Sequence, residues 1–456
     1  MWSIAALWVG MSICVPTFTL ASSQVNNGMS AWQAVAVIGL ANTIVLVPLM
    51  LNGHPGTKYG IPFPVLVRAS FGVRGANLPA MLRALVACGW FGINCYFGGL
   101  GLHACASVLV PSVSLPDLTS WLGIGTGPFV GFVVFWLINV YFIWNGIESI
   151  KWMENLAAPF LLVCGVALLV WAIDAGGGLG AVMSQPAKRP LADTFAVALT
   201  SGVSFWATLA LNIPDFSRYA TSQRAQALGQ AISMPTTMAL FAFIGVASAA
   251  ASQIAFGESI NDPTALVTRF DSKLVVGISM FGLALATLST NIAANVVSPA
   301  NDFANLAPGK ISYRAGGMIT AAIGFLMVPW KLLSSIGTYL FTWLIGYGVL
   351  LGAIGAIMIV DYFVLRRRTL IVDDLYRRGG AYEYDGGINR VAIIAFLIGI
   401  APCLPGFVAA VANRPDWVSP LFNGLYTWAW FVSSALAGAV YWIAMRQRVF
   451  APPATV

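Results

Sequence analysis

The sequence predicts an all-α integral membrane protein with twelve transmembrane helices, and three observations carry that expectation. Of the 456 residues, 59% are hydrophobic and only 9% charged, whereas an ordinary soluble domain is about 25% charged. The apolar residues gather into runs of about 17 to 25, the length at which a helix crosses a hydrocarbon core. The basic residues fall unevenly between alternate connections, as they do in chains oriented by the positive-inside rule.

In order, the runs predict spans near 4–24, 31–52, 79–110, 128–148, 155–174, 193–213, 232–255, 274–297, 314–329, 333–364, 391–412 and 423–445. No positively charged segment precedes the first run and no small-residue cleavage site follows it, so it reads as a membrane helix rather than a signal peptide. Gly10 and Pro16 interrupt it. The third and tenth runs exceed one bilayer thickness, which implies tilt or an interfacial extension. The sixth carries Gly202 early and Pro214 at its end, five spans after the first interrupted run. Interrupted helices at corresponding positions of two halves point to an inverted repeat whose broken helices line a midplane site. Residues 366–390, rich in both charge signs, read as a solvated loop before a final pair of spans.

With the N-terminus inside, inner connections hold 17 of the 23 basic residues, among them Lys58, Arg68, Arg74, Arg83, Lys151, Arg218 and Arg366. The outer side keeps Lys188, Arg189, Arg269, Lys273, Lys331 and Arg414. Both termini are therefore expected in the cytoplasm, with the chain in the inner membrane, and the net charge of +7 is topological rather than a nucleic-acid footprint. The six cysteines all fall in spans without metal or redox spacing and read as small apolar fillers.

The most informative segment is 286–308, which places hydroxyls and carboxamides inside an apolar run. Such groups are expensive at membrane depth unless they face the bundle interior, so Ser289, Thr290, Asn291 and Asn295 suggest an ion or polar-solute site. Hydroxyl oxygens suit a hard cation; the alternative is that each bonds the carbonyl four residues back. On a straight helix Asn295 lies roughly 180° from Ala286, so one point cannot collect them all. In the third run Trp90 and Asn94 share a helix face and suit a planar heterocycle with amide edges, with packing as the alternative reading. In the sixth, Ser204, Phe205 and Trp206 offer a second stacking face. Asp215 and Arg218 read as a solvated pair at the inner surface. His103 is the deeper of the two histidines and reads as a neutral packed residue.

Three segments, residues 56–94, 211–220 and 288–308, closely resemble the nucleobase-cation-symport-1 family, permeases for cytosine, uracil, allantoin, hydantoins and related compounds. The resemblance implies a LeuT-type fold of two inverted five-helix repeats, 1–180 and 190–364, with two additional helices over 391–446. It implies a sodium site on the carbonyls of Gly10, Ile13 and Ala286 and the hydroxyls of Ser289 and Thr290. It places the substrate on Trp90, Asn94, Ser204, Phe205, Ala207 and Asn295, with Trp90 and Phe205 as two faces of a sandwich. Hydantoin- and allantoin-type members tend to carry a longer or polar amide where this chain has Cys14, and Gln where it has Asn94, so the hydrogen-bonding edge differs here. The expectation is sodium-coupled symport of a nucleobase-like substrate by a monomer, without organic cofactor or nucleic acid. Proton coupling is the nearest alternative; a membrane enzyme or channel, for which no acid/base cluster or filter is visible, is distant.

Overall fold

The computed structural model describes residues 1–109, 116, 119–146, 151–335 and 337–448. Among these the only β-type pairing is an isolated bridge between Asp385 and Ile388, and the architecture is helical. The expected ends of the third and fourth spans, at 110 and 148, lie outside the described residues, as does the side chain of Lys151.

The first run is two helices, α1 (Trp2–Ser12) and α2 (Val15–Asn26), meeting at 56°. Cys14 between them is extended, with φ −149° and ψ 160°. Pro16 occupies the first turn of α2, where a missing N–H forfeits no intrahelical bond. A capping box of Ser30 and Gln33 starts α3 (Ala31–Tyr59). Two single-turn helices, α4 (Phe63–Leu66) and α5 (Arg68–Phe71), lead into the long α6 (Asn77–Leu109). Then follow α7 (Thr126–Asn145), α8 (Lys151–Ala175) and the short α9 (Leu179–Met183).

The sixth run is also broken, as α10 (Leu191–Phe205), α11 (Ala207–Asn212) and α12 (Pro214–Ser217). The break is not at Gly202, which sits inside α10 because a Cβ there would come 2.7 Å from that of Ala41. It falls at Trp206 and again at Ile213. Pro214 has no N–H to offer the carbonyl of Ala210, and Asn52 of α3 donates to that carbonyl instead, at 2.7 Å.

Serines 222 and 272 cap α13 (Gln223–Phe256) and α15 (Lys273–Asn295), which flank α14 (Pro263–Val267). The next helix, α16 (Val297–Leu306), is separated from α15 only by Val296; Pro299 withholds an amide from the carbonyl of Asn295. Beyond α17 (Tyr313–Leu326) and α18 (Pro329–Leu332), a π-helical stretch Thr338–Ile345 runs into α19 (Gly346–Ile359) and a second one, Val360–Leu365. The chain ends in α20 (Arg390–Ile400), α21 (Leu404–Val411), α22 (Pro420–Thr427) and α23 (Ala429–Met445).

By length and composition, seven helices among the described residues can cross a membrane, and nine if the bent pairs α1–α2 and α22–α23 each count once. The other three expected runs are helical but shorter: Pro159–Ala175 and α10 are apolar, and α17 has 14 residues. Inside the bundle α6 packs on α15, α7 and α17, while α13 packs on α1, α2 and α3.

One expectation about charge is refined and one corrected. Residues 366–390 hold many exposed side chains, as a solvated loop does, but the segment is also docked. Arg74 and Gly75 amides donate to the Gly387 carbonyl, Asn389 donates to the carbonyls of Phe71 and Ser70, and Tyr384 and Arg366 both donate to Ala69. Nor is Asp215 solvated: it is buried and accepts from Ser298 and the Phe63 amide, and Asp302 and Asp361 are buried likewise, the first against Arg83 and the second against Arg366 and Tyr441. The short helices between α3 and α6 leave backbone groups, among them the Phe63 amide and the carbonyls of Ala69, Ser70 and Phe71, that distant segments pair.

Candidate functional site

The breaks at Cys14, Trp206 and Val296 meet around one cavity of about 40 Å³. Met11, Cys14 and Pro16 line it from the first break, Trp90 and Asn94 from α6, Phe205, Trp206 and Thr208 from the second break, and Thr290 and Asn295 from α15. At roughly 10–15 Å³ per water, it has room for only a few waters, so the site is drawn in tightly. Of the residues expected at the substrate, Cys14, Trp90, Asn94, Phe205 and Asn295 are brought together. Ser204 and Ala207 do not line the cavity: the Ser204 hydroxyl faces Gly348, where a Cβ could not fit, and Ala207 lines a separate cleft against α3 and α19.

Trp90 and Phe205 touch edge to face, with centroids 5.2 Å apart and planes at 77°. A ring can enter between them only after they part, so the sandwich is not formed in this arrangement. Trp90 also meets two aromatics that sequence reasoning missed, Trp343 at 6.1 Å and Tyr347 at 6.5 Å. The spacing of Tyr339, Trp343 and Tyr347, four residues apart each time, was the available signal.

The carboxamides are held from behind. Asn94 donates to the Trp90 carbonyl at 3.0 Å. Asn295 donates to Asn291, which donates to Asn139, which donates to the Phe135 carbonyl, at 3.0, 3.1 and 2.9 Å. This relay bears on the angular conflict along α15: Asn291 turns toward α6 and α7 to orient Asn295, Thr290 lines the same cavity as Asn295, and Ala286 is buried with Ile13. Asn139, a lone amide in an apolar run, was not singled out. Each carboxamide of Asn94 and Asn295 keeps its carbonyl oxygen and one N–H for a ligand edge.

The break in the first run also releases oxygen atoms. The Cys14 amide bonds Ser12 and the Thr17 amide bonds Cys14, so the carbonyls of Gly10 and Ile13 lack the amides a continuous helix would give them. Ile13 and Ala286 are buried in one cluster. Among the described residues the hydroxyls of Ser289 and Thr290 do not bond the carbonyl four residues back, unlike those of Ser22, Thr57 and Thr320. Released carbonyls on α1 and unengaged hydroxyls on α15, two helices in contact, are oxygen donors of the kind that suits a hard monovalent cation.

Other cavities are larger but carry less chemistry. A cleft of about 640 Å³ between α2, α8, α13 and α15 is lined mainly by apolar side chains and opens past the exposed Val163, Val275 and Ile278. A second of about 670 Å³ lies at the ends of α6 and α15. His103 stands half-buried in its wall with Asp262, Asp271 and Lys273, rather than packed in the core.

Residues 1–433 match the family described as permease for cytosine/purines, uracil, thiamine and allantoin. The chain belongs to this permease family. It is 42% identical to the purine-uracil permease NCS1 of Arabidopsis thaliana over 97% of this chain and 75% of the relative. It is 39% identical to the allantoin permease of Bacillus subtilis over 100% of this chain and 91% of the relative. Among solved structures, the closed, bromovinylhydantoin-bound form of Mhp1, a nucleobase-cation-symport-1 family transporter, superposes with a TM-score of 0.78 at 29% identity, covering 98% of this chain and 93% of Mhp1. The permease is thus a membrane transporter of small nucleobase-like solutes and not an enzyme.

Proposed function

We propose that this permease is a sodium-coupled symporter of a planar nucleobase or cyclic amide, working by alternating access as a monomer in the inner membrane. The observation that carries the reading is the break at Ile13 and Cys14, which releases the carbonyls of Gly10 and Ile13, buries Ile13 with Ala286 of α15 and lines the Trp90–Asn94–Asn295 cavity. Bound sodium would supply a positive charge that ties α1 to α15. Trp90 and Phe205 then stack on the two faces of the substrate, and Asn94 and Asn295 fix its edge. Twelve spans, in inverted repeats 1–180 and 190–364 with an added pair over 391–446, would rock around this fixed site. The gathering of 17 of 23 basic residues on one side supports cytoplasmic termini.

Proton coupling is the second reading, and one observation favours it. Asp215 and Asp302 are both fully enclosed near one buried guanidinium, Arg83, so a proton on either carboxyl would balance the cluster. Thermal unfolding of the detergent-purified protein separates the two, with uracil, cytosine, allantoin, hydantoin and purines each added in sodium or choline chloride. A ligand at about 100 times its Kd stabilises by roughly 2.7 kcal/mol. Stabilisation that requires sodium is the expected result; equal stabilisation in both salts, rising at low pH, would instead establish the proton.

A further inference from the structure

Buried tyrosines in this protein are hydrogen-bonded, with two exceptions. Tyr362 meets His54, Tyr382 accepts from the Ile371 amide, Tyr426 donates to the Phe341 carbonyl and Tyr441 to Asp361. The hydroxyls of Tyr339 and Tyr347 are buried without a partner, and so are the indole nitrogen of Trp343, that of Trp90 and the hydroxyl of Ser204. Three of these residues touch one another: the Trp343 and Tyr347 rings are 5.1 Å apart and both contact Trp90, while Tyr339 stands four residues before Trp343 in the same helical stretch. The Trp90 nitrogen and the Tyr347 hydroxyl are neighbours without the geometry of a hydrogen bond.

Unsatisfied polar groups are rare in protein interiors, and a cluster of them calls for an absent partner. Their placement is structural. Tyr339 and Trp343 lie in the π-helical stretch Thr338–Ile345, a geometry concentrated at functional sites. Trp343 presses on Gly89, where any Cβ would strike the indole, so the α6 backbone braces it. Trp90 touches both this aromatic group and Phe205, so a movement of Trp90 that parts it from Phe205 to admit a ligand would also change what the group faces. From the first break, Cys14 cannot reach it as a strong donor, since its thiol is a weak one and is engaged with Thr17 at 3.3 Å.

We infer that Tyr339 and Tyr347, with the Trp343 indole, are specificity-determining residues that hydrogen-bond the far edge of the substrate and select heterocycles with carbonyl oxygens there over their amino counterparts. This deepens the symport reading and rests on it. The chemistry follows from the donor inventory: the Trp343 indole N–H only donates and the two tyrosine hydroxyls can donate alongside it, so an oxo edge satisfies all three, whereas an exocyclic amine leaves the indole facing a donor. A site built to pair with a substrate group discriminates strongly against the analogue that lacks it.

The test is binding of uracil and cytosine, which differ in the C4 substituent, oxo against amino, and in the proton on N3, to the purified wild type, Tyr347→Phe and Tyr339→Phe, in sodium and in choline. Wild type should prefer uracil, and Tyr347→Phe should weaken uracil binding about tenfold, the value of one hydrogen bond, and narrow the preference. Neither variant should unfold at a lower temperature without ligand, because the lost hydroxyl had no partner; a structural hydroxyl would move that temperature. Sodium-dependent binding that favours cytosine, or uracil affinity unchanged in both variants, overturns the inference and leaves the symport reading standing. Binding that ignores sodium while both variants lose uracil affinity overturns the coupling and keeps the inference. Silence of the wild type toward both bases overturns the oxo-edge selection.

Discussion

Arg83 and Asp302 stand 219 residues apart in sequence and meet at 3.2 Å with both side chains fully enclosed. Two of the Arg83 nitrogens and one Asp302 oxygen have no protein partner. Breaking such a pair from one side leaves an uncompensated buried charge, which costs about 3–5 kcal/mol, whereas replacing both members by apolar residues is often neutral. Asp302→Leu should therefore lower the unfolding midpoint sharply, and Arg83→Met in the same chain should recover most of the loss. Additive losses in the double variant would show that the two charges do not interact. Neither residue's role was legible in the sequence. Arg83 counted as a cation of an inner connection and Asp302 was given no role, because charge asymmetry along a chain records which loops are basic and not which cations are later enclosed. Trp90 and Asn94 were legible, since their four-residue spacing is local.

At the scale of the element, proline announced the breaks but did not locate all of them. Pro16 and Pro214 both stand in the first turn of the helix that follows an interruption, where proline is tolerated. Gly202, read as a companion break, is a contact point instead: α10 and α3 approach too closely there for a side chain. Only tertiary structure distinguishes a glycine that bends a helix from one that lets another helix near. The Ala210 carbonyl shows how a break is stabilised from outside, through Asn52. Asn52→Leu should cost about 1–3 kcal/mol by leaving that carbonyl unpaired. The cost should shrink when Pro214→Ala returns an amide to the helix, and a double-mutant cycle on unfolding free energy measures the difference. A cycle with no coupling would mean the carbonyl is satisfied by another route. The π-helical stretch carrying Tyr339 was invisible, because an apolar run of this length is read at 3.6 residues per turn and gives no sign of a local widening.

Across the whole molecule, the proposed reading has one helix break serve two sites, and coupling would follow from that position. Cys14 and Pro16 border the aromatic cavity, while the carbonyls released beside them belong to the proposed cation site with Ser289 and Thr290 of α15. Anything that fixes the angle between α1 and α2 for one ligand fixes it for the other. Linkage then makes the effect reciprocal: the factor by which sodium tightens substrate binding must equal the factor by which substrate tightens sodium binding, commonly about 5- to 150-fold. Titrating each ligand at zero and at saturating levels of the other measures both factors in the same preparation. Thr290→Ala should lower both together, since it removes an oxygen from the cation side while leaving the Trp90 face in place. Trp90→Ala should abolish substrate binding yet leave sodium binding largely intact. A Thr290→Ala protein with unchanged sodium dependence would move the cation away from α15, and the buried carboxyls of Asp215 and Asp302 would become the place to look for the driving ion.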